Sequence, residues 1–384
     1  MDPFTYAISV FRRRNIASMK RALIALFGVA TVLAACGGNT GATNPSTGGA
    51  NVPTPPAASL TGAGATFPQP FYAAAFFAYN KRFSQVTVNY QAVGSGAGIQ
   101  QLTKKTVDFG ASDVPLKSSE ADAMGGSDKV VQLAGTLGTE SLAYNLPGIS
   151  DGQLKLAPDT IAGIFLGKVK KWNDPALKAD NSGLSLPDQD IRVVHRSDGS
   201  GTTYIFTDFL SSVSPDWSSK VGKGKSVSWP VGQGASGNAA VATTIKQTPG
   251  AIGYVELAYV LQTNMAQARL KNRDGNFVLP SAAGATAAAK EFASASPSQF
   301  SIVNAPGKDS APISGYSWLM LYKDQANKTK GTATVDLFYW LVTDGQQYAS
   351  NLHYAKLPGN MVSYDIAVLK HVRSGGATLL NVPA

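Results

Sequence analysis

The hydrophobic pattern of this chain switches period repeatedly after residue 58. Residues 86–93 alternate apolar and polar as one face of a half-buried strand does, and short apolar runs at 107–113, 142–146, 191–194, 251–254 and 317–321 predict further strands. Between them, large apolar groups recur at helical spacing in 70–83, 202–212, 238–247, 282–293 and 332–343, which predicts helices. Residues 161–166 fit a buried strand while 159–166 fit a helix, so the pattern leaves that segment open. Strands alternating with helices argue for α/β layers. No internal repeat and no coiled-coil heptad is present.

The strand-to-helix junctions give the pattern its chemistry. Residues 194–208 read VHRSDGSGTTYIFTD: an apolar strand, a glycine-rich turn, then a helix. The first N–H groups of a helix lack an intrahelical partner and carry partial positive charge, so such a junction can hold an anion. Ser200 and Thr202 add hydroxyl donors, Gly201 permits close backbone approach, and Arg196 supplies a forked cation that Asp198 can orient. Taken alone, the stretch fits a capped surface loop equally well. Two more junctions have the same make-up: a glycine turn before Thr66 and Phe67, where Thr66 is expected as a helix N-cap or first-turn residue, and Ser95 in Gly94-Ser95-Gly96-Ala97-Gly98 ahead of a helix at Ile99. Converging on one cleft, the three would form an oxyanion cradle of neutral dipoles. Asp113, ending the 107–113 strand, reads either as a helix cap or as an acceptor facing that cradle.

Composition adds limits. A chain of 384 residues, 44% hydrophobic and 15% charged, is long enough for two domains with real cores. Arg12, Arg13, Arg14, Lys20 and Arg21 against Asp2 give residues 1–35 a net +4 of the total +9 and leave a mild +5 elsewhere. That excess suits an anionic ligand; with no basic run interleaved with aromatics after residue 35, nucleic acid is not expected as a partner. Residues 1–35 read as a signal segment whose start is placed at Met19. Leu33-Ala34-Ala35-Cys36 resembles a lipobox, making Cys36, the lone cysteine, the expected lipidation site. Residues 36–58, uncharged and rich in Gly, Pro and Thr, read as a flexible tether.

Enzyme signatures fail individually. The turn at Gly62 and Gly64 has Phe67 where a dinucleotide fingerprint needs glycine, Gly224-Lys225-Ser226 lacks the first P-loop glycine because Ser219 stands there, and no G-x-S-x-G occurs. His195, His353 and His371 are too scattered for a metal site, so neither metal nor cofactor is expected. Trp172, Trp229 and Trp340 read as packing residues.

The segments LTGAGATFPQPFY, VDFGASDVPL, FLGKVKKWNDP, HRSDGSGTTYIFTDFL, SWPVGQGASGN and PGAIGYVELAY, in this order, resemble the phosphate-binding proteins of bacterial phosphate-specific ABC transporters. The resemblance implies an α/β, two-lobe fold of the type II periplasmic-binding-protein kind. Residues 59–135 with 315–384 would form lobe 1 and 136–314 lobe 2, joined by two hinge strands with the ligand cleft between them. It also implies a phosphate site made of Thr66, Phe67, Ser95, Asp113, Arg196, Ser200, Gly201 and Thr202, supported by Asp198. The expected protein is a lipid-anchored, extracytoplasmic, non-enzymatic monomer that captures inorganic phosphate and delivers it to permease subunits. A receptor for another oxyanion and a secreted phosphatase are the alternatives.

Overall fold

The computed structural model describes residues 53–292, 296–297 and 299–381. The leader, Cys36 and the tether up to residue 52 lie outside the described residues.

The chain begins β1 (Ala58–Gly64), α1 (Gln69–Arg82), β2 (Val86–Ala92), α2 (Ser95–Thr103), β3 (Phe109–Ser112), α3 (Ser118–Ala123) and the long strand β4 (Val130–Tyr144). It continues through β5 (Lys155–Leu156), α4 (Pro158–Phe165), α5 (Pro175–Asp180), β6 (Arg192–Arg196), α6 (Gly201–Val213), α7 (Pro215–Lys220), β7 (Gln233–Ala235), α8 (Gly237–Gln247), β8 (Ala251–Glu256) and α9 (Leu257–Gln262). After the short strands β9 (Ala266–Gln267), β10 (Arg269–Lys271) and β11 (Phe277–Val278) come α10 (Ala282–Lys290), β12 (Ser314–Tyr322), α11 (Lys328–Val342) and α12 (Gly359–Leu369).

The main sheet runs in the order β2-β1-β3-β12-β4-β8-β6-β7, with β9 also against β4. β4 is the strand common to its two halves. Val130 to Thr139 pair antiparallel with β12, and Glu140 to Tyr144 pair antiparallel with β8. On one side β1 runs parallel to β2 and β3; on the other β6 runs parallel to β7 and β8. Parallel strands end together, so the C-terminal ends of β1, β2 and β3 and of β6 and β7 each form an edge from which loops and helix N-termini project. β3 and β8 are buried along their whole length, as strands covered on both faces are.

Three local readings change. Residues 159–166 form a helix, α4, with Pro158 in its first turn; Thr160 to Phe165 are all buried, which erased the helical period and made the segment resemble a core strand. Helix α2 starts at Ser95, ahead of Ile99, in a run whose glycines disfavour helix. Packing overrides propensity there: a Cβ on Gly98 would lie 2.3 Å from Gly64 Cα, so only a glycine lets the helix press onto β1. Thr66 is neither N-cap nor first-turn residue of α1. Pro68 holds the cap position, and the Thr66 hydroxyl is engaged elsewhere. Trp172 and Trp340 are buried in the core as expected, and Trp229 stacks on His195 at 4.7 Å between ring centroids.

Candidate anion-binding site

Each expected junction sits where a strand of the main sheet gives way to a helix. Thr66 and Phe67 follow β1, Ser95 opens α2 after β2, Asp113 follows β3, and the 196–202 loop joins β6 to α6. Thr66, Phe67, Ser95, Asp113, Arg196, Ser200 and Thr202 are all buried, and Gly201 with them. Two sets of hydrogen bonds, joined through the backbone between Gly201 and Thr202, tie them together.

That network begins at Ser95. Its Oγ accepts from the backbone N–H of Gly201 at 3.0 Å and from that of Asp113 at 3.3 Å. Beside it, the Gly96 N–H donates to the Gly199 carbonyl at 2.8 Å. A Cβ on Gly201 would meet both Asp113 Cβ and Oδ2 at 2.5 Å, so a glycine is needed for the start of α6 to approach Asp113. Ser200 caps α6, its Oγ accepting from the Thr203 N–H at 3.0 Å, which leaves its own proton available to donate.

Arg196 is fixed at both ends. Its backbone N–H donates to Tyr254 Oη at 2.9 Å. Its Nε and Nη2 grip Asp198 Oδ1 and Oδ2 at 2.7 and 2.5 Å, a bidentate pair, and Nη1 donates to Thr202 Oγ1 at 3.1 Å. Asp198 thus orients the guanidinium, as its spacing predicts. Burial works against the Asp198 charge, yet the guanidinium and the Gly237 N–H outweigh it and hold the carboxyl below its ordinary range.

Asp113 is buried beside the start of α6. Ser317 Oγ donates to its Oδ1 at 2.8 Å, while Oδ2 is buried without a hydrogen-bond partner. Burial pushes its carboxyl up to about 7, against the pull of Ser317, Arg196 and Ser95. It does not cap α3, whose cap position is Lys117. Within its loop the Thr66-Phe67 segment is held by tyrosines: Tyr259 Oη donates to the Thr66 carbonyl at 2.5 Å and Tyr354 Oη to the Phe67 carbonyl at 2.6 Å.

Sequence reasoning missed Asn238. Its Nδ2 donates to Thr66 Oγ1 at 2.9 Å and to Thr202 Oγ1 at 3.0 Å, and its backbone N–H also donates to Thr66 Oγ1, at 3.2 Å. It therefore joins the β1 and β6 junctions side chain to side chain. The signal was available: Gly234-Ala235-Ser236-Gly237-Asn238 is a fourth strand–glycine–helix junction built like the other three. Lys225 was missed too. It forms a largely buried ion pair with Glu120 of α3, linking the two halves of the sheet near the same site. His195 meets the network through its Nδ1, 3.0 Å from the Arg196 carbonyl, and not at the Arg196 side chain. Among the described residues no group of three or more His, Cys, Asp or Glu could hold a metal, and no helix is long and apolar enough to cross a membrane.

An α/β sheet whose halves share one long strand, with helix N-termini gathered where they meet, defines the type II periplasmic-binding-protein class of fold. Residues 49–344 match the profile of the PBP superfamily domain. The phosphate-binding protein PstS of Xylella fastidiosa is 43% identical over 321 residues, covering 82% of this chain and 87% of that protein. PstS of Pasteurella multocida is 44% identical over 308 residues, covering 80% and 88%. A human phosphate binding apolipoprotein of known structure shares the fold with a TM-score of 0.64 at 20% identity, over 80% of this chain and 93% of its own. The chain belongs to the PBP superfamily and, within it, to the family of the PstS phosphate-binding proteins.

Proposed function

We propose that this protein captures inorganic phosphate outside the cytoplasm and hands it to the permease of a phosphate ABC transporter. The observation that carries the reading is the buried, unpartnered Asp113 Oδ2 beside the start of α6, with Arg196 acting on the same carboxyl. In this reading the Phe67 and Thr202 peptides, the hydroxyls of Thr66, Ser95 and Ser200, and the guanidinium of Arg196 supply donors, the Gly201 N–H is shared with Ser95 Oγ, the Ser200 N–H is held by the Lys225 carbonyl, and Asp113 Oδ2, buried with no hydrogen-bond partner, is the acceptor. Donors in excess suit a tetrahedral oxyanion, and one carboxyl among them demands a proton. Phosphate carries a proton to share at neutral pH; sulfate does not.

In this reading residues 59–135 with 315–384 form one lobe and 136–314 the other, with β4 and β12 as the hinge strands between them. An anion that contacts both lobes favours the closed arrangement by its differential affinity for it. Signal cleavage before Cys36 and diacylation of its sulfur would leave the protein a lipid-anchored monomer on its tether, docking on permease subunits. In this reading it does no covalent chemistry: the Ser200 hydroxyl caps α6, and His195, its nearest histidine in sequence, stacks on Trp229.

The test is thermal unfolding of the ligand-stripped protein with added phosphate, sulfate and molybdate, beside incubation with a chromogenic phosphate ester. A phosphate-specific rise in Tm with the ester intact supports the reading. Stabilisation by another oxyanion alone, or release of chromophore, replaces it with one of the alternatives.

A further inference from the structure

Glu140 is the first residue of β4 to leave β12 for β8, where its register partner is Glu256. Its side chain is fully buried, and neither Oε1 nor Oε2 has a hydrogen-bond partner. Glu256 is fully buried as well: its Oε2 accepts from the Ala258 N–H at 3.0 Å and lies 2.9 Å from Tyr354 Oη, while its Oε1 has no partner. Tyr354 has one hydroxyl proton, and the 2.6 Å contact to the Phe67 carbonyl needs it.

Strand alternation fixes the face on which Glu140 stands. Gly138 shares that face, and a Cβ there would touch the rings of Phe67 at 2.8 Å and Tyr354 at 3.3 Å, so Glu140 belongs to the side of the sheet that carries the Thr66-Phe67 loop. The groups that act on it are Glu256 and Tyr254 from β8, Asp113 from the end of β3 and Arg196 from the end of β6. Tyr259 of α9 and Tyr354 stand around Glu256, and Asp365 of α12 meets β4 farther along, accepting from the Ala134 N–H at 2.8 Å. Glu140 and Asp113 thus share one guanidinium, and that guanidinium is already committed to Asp198 and Thr202.

We propose that Glu140 is a positioning residue for anion capture: it must carry a proton for phosphate to occupy the site beside Arg196 and Asp113, so that binding is linked to proton occupancy of the β4–β8 ladder. The inference rests on the phosphate-binding reading above. Burial first, then Asp113 and Glu256, favour the neutral acid, with Arg196 opposing them. An ionised Glu140 would put an unpaired charge, without a single hydrogen bond to stabilise it, next to an incoming anion.

Calorimetric titration of the wild-type protein and Glu140→Gln with inorganic phosphate, in buffers of differing ionisation enthalpy across pH, tests this. The titration of phosphate is common to both proteins and drops out of the comparison, and the same pair of titrations in an Asp113→Asn background removes the titration of Asp113, which is coupled to that of Glu140. The wild type should lose affinity at alkaline pH with an additional slope of up to about tenfold per pH unit, and should take up more protons on binding there. Glu140→Gln should lack both. Should that variant fail to fold, Glu140→Met, apolar and of similar length, carries the same comparison. Equal proton counts and equal pH slopes in wild type and variant overturn the inference while leaving the phosphate reading intact. Absence of phosphate binding to the wild type overturns both.

Discussion

The Gly201 N–H donates to Ser95 Oγ at 3.0 Å, tying the first residue of α6 to the first residue of α2 across the junction of the two sheet halves. The same oxygen accepts from Asp113, so one hydroxyl sets the spacing of three proposed phosphate contacts. Ser95→Ala would leave two buried N–H groups without an acceptor, a loss of about 1–3 kcal/mol. Phosphate Kd should rise about tenfold or more, read by calorimetry, with a smaller loss of apo stability if the two N–H groups reach water in the open state.

Asn238 bridges Thr66 and Thr202 through a single amide. Asn238→Ala should weaken phosphate binding by a similar amount although the residue is not among the proposed contacts. Scattering should report a larger radius of gyration for the variant than for the wild type at equal, subsaturating phosphate. A Kd unchanged from wild type would show that the bridge contributes nothing to closure.

Arg196 is held by both carboxylate oxygens of Asp198 and donates to Thr202 with a third nitrogen. Lysine cannot reproduce that fork. Arg196→Lys should cost about 2–5 kcal/mol of phosphate binding, because a buried, paired charge loses its geometry and Asp198 loses its bidentate partner. Asp198→Asn should cost less, since the guanidinium charge stays and only its orientation loosens. Paired titrations of the two variants check the order.

Legibility followed the reach of the interactions. Residues 194–208 could be read as strand, turn and helix because glycines, caps and β-branched residues act locally, and the Arg196–Asp198 pair lies within two positions. Convergence could not be read: Ser95 and Gly201 meet only because β1 and β2 in one half of the sheet and β6 in the other run in opposite senses, so that their C-terminal ends face each other. The start of α2 was hidden because its glycines serve packing on β1, which outweighs their poor helix propensity. Glu140 carried no signal at all, since a lone glutamate between Thr139 and Ser141 gains meaning only from Glu256 across the ladder.

Buried carboxyls also set the pH dependence of the fold. Burial pushes Asp113 and Asp336 up to about 7 from an ordinary value of 3.8. The folded chain therefore holds protons that the unfolded chain releases. Each group's contribution is complete below 3.8 and is lost as pH rises to about 7, the reverse of a salt-bridged carboxylate. Apo stability should fall over that window, by at most about 4 kcal/mol for Asp113, with Tm falling in step, and Asp113→Asn and Asp336→Asn should each flatten part of the fall.

The central claim is that a single proton must sit between Asp113 and the bound anion. Phosphate can bring it, whereas sulfate requires Asp113 to be protonated. The most direct measurement is the ratio of phosphate to sulfate affinity of the ligand-stripped wild type as pH is raised through the Asp113 value of about 7. The predicted result is one phosphate per protein and a ratio that grows about tenfold per pH unit above that point, with the slope absent in Asp113→Asn. A ratio that stays constant with pH, or a wild type that takes sulfate as readily as phosphate, would contradict it.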